Sequence, residues 1–430
     1  MANQTSRMDG FRRRAAELDS CDELARLRER FYVLPGQIYL DGNSLGLLSG
    51  DAEAGIHRVL ESWRELAIEG WTGANPAWFT LAEELGAQMA SLVGADAGEV
   101  VVTNSTTVNL HQLLATLYDP RDKRQVIVAD SLNFPSDNYA IRSHLQLRGL
   151  DPDSCLRMVE SRDGRTINEE DILAAMRDDV QMVMLPTVQY RSGQLLDVAR
   201  IARAANERGI LLGLDCSHSI GILPHALSES GVDFAFWCSY KYLNGGPGAA
   251  AALYLNRKHF GRAPGLAGWF GSRKDRQFDM SAMLESAEGA GALQIGTPNL
   301  LSMAPLIGTV PMLLEAGIDR IRAKSLAMTE LMMDVADDIL ATHGFVVANP
   351  REQERRGAHI ALAHPEASRI CRALRASGVV PDFRPPDIVR LAPSPLYTRF
   401  ADCVEALAIL DHIMESRGYE RYPSGRELVS

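Results

Sequence analysis

The chain has no long apolar run. Its most hydrophobic stretches, such as residues 248–255, fall far short of the ~20 residues that cross a bilayer, so no membrane partner is expected. It has no basic excess either: 44 Lys and Arg against 55 Asp and Glu leave a net charge of −11 at pH 7. Phosphate backbones are held by clustered cations, and the densest cluster, residues 12–14, is soon followed by Glu17 and Asp19. No nucleic-acid partner is expected. The opening MANQTSRMDGFRRR lacks the apolar core of a secretory signal, and Asp9, Glu17 and Asp19 fit a transit peptide poorly. The 6 cysteines (Cys21, Cys155, Cys216, Cys238, Cys371 and Cys403) form no CxxC pair and read as reduced core residues. A cytoplasmic location follows as the expectation. HExxH, zinc-spaced His/Cys clusters, a P-loop and a G-x-S-x-G elbow are all missing, so no metal is expected. GPGAAA resembles a piece of a glycine fingerprint but precedes a strand-like run, which disfavours nucleotide binding.

What the chain does have is the composition of a globular enzyme, 46% hydrophobic and 23% charged. Short β-branched runs recur at 125–129, 181–185, 210–214, 232–237 and 250–255. Between two of them, DVARIARAANERG places Val198, Ile201, Ala202 and Ala205 on one helical face, with Asp197 as N-cap and Gly209 beyond the C-terminus. Such a strand–helix–strand unit predicts an α/β fold with a mostly parallel sheet. The last two runs are joined only by SYKYLNGGPG, too short for a crossover helix, so they are expected to pair antiparallel. After residue 308 the pattern changes to helices at 311–323 and 326–340, strands at 345–347, 359–362 and 387–391, and a final helix at 401–416. The expected organisation is a segment 1–50 that packs with a small α+β domain 309–430, and a large domain 51–308, with a helix at 52–69 leading into its sheet.

Three clusters carry chemistry. In LLGLDCSH, Asp215 ends a strongly apolar strand and His218 follows. A carboxylate buried there costs several kcal/mol unless it caps a helix or pairs with a cation, and a pyridinium nitrogen is such a cation. In FWCSYKYLNGGPG, Lys241 follows an apolar strand between Tyr240 and Tyr242; it is either a snorkelling side chain or an amine able to capture a carbonyl. In TNSTTVNLH, residues 104–107 run into a helix whose first N–H groups either accept caps or cradle an anion. Each has an ordinary structural alternative alone. Together they supply a held phosphate, a partner for a ring nitrogen and an amine, which is what pyridoxal 5′-phosphate requires.

These residues resemble the kynureninase family, fold-type-I pyridoxal-phosphate enzymes of the aminotransferase superfamily. The likeness runs in order through YLDGNSLG (39–46), TNSTTVNLH (103–111), FPSDNYAIRSHLQLRG (134–149), QYRSGQLLD (189–197), LDCSHSIG (214–221), GVDFAFWCSYKYLNGGPG (231–248), GWFG (268–271), GTPN (296–299) and VRLAPSPLY (389–397). It implies that Lys241 is the Schiff-base lysine, that Asp215 pairs with the pyridine nitrogen, and that Thr106, Thr107 and the Tyr240 hydroxyl hold the phosphate. It further implies that Phe134 stacks on the ring, with Pro135, Ser136, Asp137 and His218 lining the cofactor. Trp269 and Thr297 resemble residues that reach the neighbouring subunit's cofactor phosphate, implying a homodimer with active sites at the interface. Arg390 resembles the receiver of the substrate α-carboxylate; Trp71 and Asn43 join it as substrate contacts. Two positions depart from the pattern. Pro186 stands at a strand end where a hydroxyl residue is expected, and Trp71 stands where animal-type members carry a histidine, which favours L-kynurenine over 3-hydroxykynurenine. The implied reaction is hydrolytic Cβ–Cγ cleavage of L-kynurenine to anthranilate and L-alanine, in tryptophan catabolism. Cysteine desulfurase, aminotransferase or a non-catalytic relative are the alternatives on the same scaffold; a desulfurase needs a mobile thiol, and Cys371 and Cys403 fall in helix-like segments.

Overall fold

The computed structural model describes residues 2–121 and 123–425. They fall into two compact units: one of residues 51–190 and 196–314, the other of the described residues up to 50, 191–195 and from 315 on.

The larger unit is built on seven strands: β1 (Val100–Val102), β2 (Val126–Asp130), β3 (Leu156–Val159), β4 (Val180–Pro186), β5 (Leu211–Asp215), β6 (Phe234–Trp237) and β7 (Ala252–Leu255). Their spatial order is β1-β7-β6-β5-β4-β2-β3. β7 runs antiparallel to both neighbours, and the other pairs are parallel. One reversed strand in a parallel sheet is the expected topology, and its cause is local: the chain from Trp237 to Ala252 forms no helix and cannot cross over. The crossover between β4 and β5 is the helix Val198–Glu207. Asp197 caps it by accepting from the Arg200 N–H at 3.0 Å, and Gly209 leaves it at φ +62°. Ile201, Ala202 and Ala205 are buried beneath it. The sequence pattern did not reveal the two edge strands. β1 has three residues, and β3 carries Arg157, whose guanidinium bonds both oxygens of Asp179 at 3.0 and 2.6 Å, so the apolar signal is broken.

The smaller unit holds an antiparallel sheet of β8 (Val346–Val347), β9 (Ile360–Ala363), β10 (Asp382–Arg384) and β11 (Ile388–Leu391), in the order β10-β11-β9-β8. Helices Ala2–Ser20, Ile318–Asp338, Ala367–Ala376 and Phe400–Glu415 share its core, in which Met8, Ala15, Leu331, Leu362, Val389 and Leu407 meet. The N-terminal stretch is tied in by charge as well. Asp19 accepts from the Phe400 and Ala401 N–H groups at 2.7 and 2.9 Å, capping the last helix, and the buried Lys324 pairs with Asp22 at 2.7 Å.

Two helix boundaries differ from the sequence-based expectation. The break falls at Gly317, whose φ of +78° suits glycine, and not near residue 324. The helices are Leu306–Ala316, with Pro311 inside it, and Ile318–Asp338, which runs unbroken through Lys324 and Ser325 because neither residue interrupts the helical hydrogen bonds. Among the described residues no single helix is long and apolar enough to cross a membrane.

The helix Leu81–Ala90 lies so close to β1 that a Cβ on Gly86 would meet the Val100 carbonyl oxygen at 2.2 Å. Backbone cannot yield as a side chain does, so Gly86→Ala is expected to destabilise the fold by about 1–3 kcal/mol. A thermal melt of the variant checks this, and an unchanged midpoint would refute it.

Candidate active site

Because β1, β2, β4, β5 and β6 are mutually parallel, their C-terminal ends share one edge of the sheet, where open α/β sheets bind ligands. Residues 103–107 follow β1, 134–137 follow β2, Thr187 follows β4, Asp215 ends β5 and Lys241 follows β6. Backbone bonds lock these ends together. The Thr187 N–H donates to Asp215 O at 2.9 Å, Cys216 N–H to Phe236 O at 2.9 Å, and Thr103 N–H to Ala251 O at 2.8 Å. Sequence-distant residues thus meet because the strand ladder fixes their register.

Lys241 Nζ lies 2.9 Å from His218 Nε2. Asp215 is 8% exposed, and its Oδ1 accepts the Ser217 N–H at 2.8 Å. Among the described residues it has no ion pair. A buried carboxylate without a cation is costly, so this arrangement suits a cationic partner that comes from elsewhere. Behind it sits Asp137, 3% exposed, within hydrogen-bonding reach of Asp215. Two carboxyls that close cannot both ionise cheaply, and burial, then the Asp215 charge, holds the Asp137 carboxyl well above the usual range. Next to it, the Asn133 side-chain oxygen accepts the N–H of Phe134, the ring-stacking candidate, at 2.7 Å.

The cradle has the form that an anion needs. Asn104 adopts φ +51°, turning the chain, and Ser105 precedes the helix Thr106–Leu117 without a side-chain cap. The first N–H groups of a twelve-residue helix therefore face outward with its positive dipole end. Thr106 is half-buried and Thr107 exposed. The Tyr240 phenol is pushed above its usual range, first by the neighbouring Cys238 thiol and then by burial.

On the far side of β2, Phe134 is 42% exposed and meets Tyr190 edge-on at 5.3 Å; Pro135 opens the helix Pro135–Leu147, and the Ser136 hydroxyl donates to Asp137 Oδ1 at 3.4 Å. Sequence reasoning passed over several contributors here. Tyr190 buttresses Phe134, and Thr187 places a hydroxyl 3.2 Å from Asp215 O and 2.6 Å from Ser219 Oγ, one residue beyond the hydroxyl-less Pro186. Ser217 links Asp215 to the lysine loop by accepting the Cys238 N–H at 3.3 Å. Their signal was only their position one or two residues past a strand end.

The remaining expected residues of this unit stand apart. Trp71 meets Trp78 and Phe270, each at 5.9 Å, and with Trp63, Trp78, Thr297 and Leu301 lines a pocket of about 630 Å³. Trp269, 47% exposed, packs on Phe270 and Phe278. Among the described residues none of Trp71, Trp269 and Thr297 makes a hydrogen bond, ion pair or ring contact with the Lys241 group. In the smaller unit, Arg390 on β11 is ion-paired with Asp382 on β10, its register partner. Asn43 is 1% exposed, and neither end of its amide has a hydrogen-bond partner among the described residues.

The set fits pyridoxal 5′-phosphate on grounds of structure: an uncapped helix start for the phosphate, a buried carboxylate lacking a cation for the ring nitrogen, and an amine at the next strand end. Comparison with known proteins agrees. A family model described as the kynureninase C-terminal domain matches residues 321–410. The chain is 54% identical over 416 residues to a kynureninase from Geobacillus thermodenitrificans and 53% identical to one from Bacillus anthracis, in each case covering 97% of both chains. Among solved structures, a cysteine desulfurase from Thermococcus onnurineus matches with a TM-score of 0.76 at 17% identity, over 91% of this chain and 98% of that one. One from Escherichia coli matches at 0.73 and 17%, over 91% and 99%. These distant structures share the fold, a mostly parallel α/β sheet.

Asp137 also sets a stability signature. Its folded-state value is raised, so the stability that it contributes is complete below the unfolded value near 4 and is lost as pH rises through the folded value. Asp137→Asn removes that loss. In cofactor-free protein, the melting temperature of the variant relative to wild type is expected to climb as pH rises above the unfolded value near 4; a pH-independent difference would contradict the assignment.

Proposed function

The chain belongs to the kynureninase family, and from that premise we propose how its own residues divide the work. It is a pyridoxal-phosphate-dependent hydrolase of a carbon–carbon bond: L-kynurenine is cleaved between Cβ and Cγ to anthranilate and L-alanine. When bound, pyridoxal phosphate supplies the electron sink next to Cα that no amino-acid side chain offers. The observation that carries the reading is the meeting of Lys241, a cation-less buried Asp215 and an uncapped helix start at one sheet edge.

Lys241 Nζ would hold the cofactor aldehyde, and its amine would carry the Cα proton. His218, 2.9 Å away, takes up and returns the proton of that amine. Asp215 keeps a proton on the ring nitrogen. Burial and the neighbouring Asp215 raise the Asp137 carboxyl well above its usual range, so a second anion beside Asp215 is disfavoured. Thr106, Thr107, the free N–H groups and the Tyr240 hydroxyl hold the phosphate; Phe134 covers one ring face, with Pro135 and Ser136 setting its angle. Tyr240 keeps its proton through the neutral range and can donate to the substrate Cγ carbonyl oxygen while water adds.

Arg390 receives the α-carboxylate through its planar fork, and the unpartnered amide of Asn43 supplies further polar contacts. Trp71 offers an aromatic face with one N–H donor, which suits the plain aryl ring of L-kynurenine. A homodimer completes the site, with Trp269 and Thr297 reaching the partner copy's phosphate. The exposure of Trp63 (59%), Ile68 (73%) and Leu301 (51%) around the Trp71 pocket supports such a covered face. The cytoplasm is the proposed compartment, supported by cysteines that form no disulfide among the described residues, with Cys21 exposed and the others buried. A desulfurase reading is disfavoured because Cys371 and Cys403 are 1% and 0% exposed within helices and cannot serve as mobile thiols.

Purified holoenzyme given L-kynurenine is expected to release fluorescent anthranilate. Lys241→Ala should lose at least about a thousandfold in kcat and Tyr240→Phe about tenfold with cofactor still bound; anthranilate release by Lys241→Ala at the wild-type rate would defeat the reading. Trp71→His should shift the kcat/KM ratio severalfold toward 3-hydroxykynurenine, which a competition assay of the two substrates measures.

A further inference from the structure

Four charged side chains meet in the smaller unit, two of them almost fully buried and two half-buried. Arg390 and Asp382 are ion-paired and each 1% exposed. Arg384 Nε reaches the same carboxylate oxygen, Asp382 Oδ2, at 2.8 Å. From the turn after Tyr39, Ser44 accepts Arg390 Nη2 at 3.0 Å and hydrogen-bonds to Asp41, so one hydroxyl bridges that carboxyl to the guanidinium. The turn is rigid. Ser44 and Leu45 N–H donate to Asp41 O at 3.0 and 3.1 Å, Tyr39 OH donates to Leu45 O at 2.7 Å, and Ala392 N–H donates to Leu40 O at 2.7 Å just past Arg390. Asp41 Oδ1 and Asp382 Oδ1 are buried without a hydrogen-bond donor among the described residues.

Counting charge decides what this cluster does with a ligand. Two guanidiniums face two carboxyls, and a third carboxylate arriving at Arg390 would set three anions against two cations in a poorly solvated place. The arrival is favourable if one of the protein's acids becomes neutral. Asp382 is bonded to both arginines directly, whereas Asp41 reaches Arg390 through Ser44.

We propose that Asp41 is the proton acceptor of this cluster: when the substrate α-carboxylate takes Arg390, one proton passes from solvent onto Asp41, so substrate binding is proton-linked. No bond to carbon changes, and the proton returns to water when the carboxylate leaves. The proposal rests on the reading of Arg390 as the carboxylate receiver. Burial, then the charge of Asp382, already pushes the Asp41 carboxyl up to about 6 against the opposing pull of Arg390, Ser44 and Arg384. Tyr39, the other titratable neighbour, is itself pushed upward and stays neutral.

The sign follows. Below pH 6 Asp41 is already neutral and carboxylate binding needs no proton; above it each binding event takes one up, so KM rises with pH. For L-kynurenine and wild-type holoenzyme, the ratio of KM at pH 8 to KM at pH 6 is expected to exceed that of Asp41→Asn by at least about fivefold. Asp41→Glu should keep the wild-type ratio, and Asp41→Leu serves as a second uncharged variant should the first fold poorly. A readout free of turnover accompanies it: the folded value is raised, so wild type loses stability as pH rises through 6, and Asp41→Asn should gain melting temperature relative to it over that interval. Arg390→Met separates the two layers. A KM unchanged in Arg390→Met would overturn the carboxylate reading and this proposal with it. A raised KM there, with equal KM ratios in wild type and the uncharged Asp41 variants, would overturn this proposal alone.

Discussion

A carboxylate at the end of a buried strand with no cation beside it is the feature around which the larger unit is organised. Asp215 is held by Ser217 N–H and by strand neighbours that include Thr187 and Cys216, yet among the described residues no Lys or Arg pairs with it. A fold tolerates such a group when something else supplies the positive charge, and a protonated pyridine ring does so. Asp137 makes the demand sharper: burial and the nearby Asp215 hold its carboxyl well above the usual range, which disfavours a second anion there. Lys241, after the next strand, and the uncapped helix start Thr106–Leu117 share one sheet edge with Asp215.

The smaller unit handles buried charge in the opposite way. Asp382 is paired with two arginines through Oδ2, and Lys324 with Asp22 and the Pro395 carbonyl. Among the described residues, Asp41 Oδ1 and both ends of the Asn43 amide, in the YLDGNSLG turn, are buried without a hydrogen-bond partner. An internal ion pair at Arg390 keeps the guanidinium in place before a ligand arrives, at the cost of a competing carboxylate. That competition makes the protonation state of a nearby acid matter for binding, where an exposed arginine would be insulated by water.

Much of this was legible in the chain. The alternation of apolar runs and helical faces is local, so the parallel sheet, its one reversed strand and the helix capped by Asp197 could be read directly. The helix break at Gly317 was misplaced because long apolar segments obscure a single glycine, and the edge strands escaped notice because three or four residues carry too little pattern. Lys241, Asp215 and the Thr106–Thr107 cradle stood out because their residue types are rare or costly at strand ends. Tyr190, Thr187 and Ser217 did not, since hydroxyls and rings are common everywhere and acquire meaning only from what they touch.

Residue identity and short-range spacing were enough to specify the elements, the amine, the acid and the anion cradle, because each depends on neighbours within a few positions. Folding added the relations between distant segments: His218 against Lys241, Asp137 against Asp215, and Asp41 joined to Arg390 through Ser44. These pairs shift charge and proton affinity through burial and distance, quantities that have no value until strands from remote parts of the chain are registered side by side.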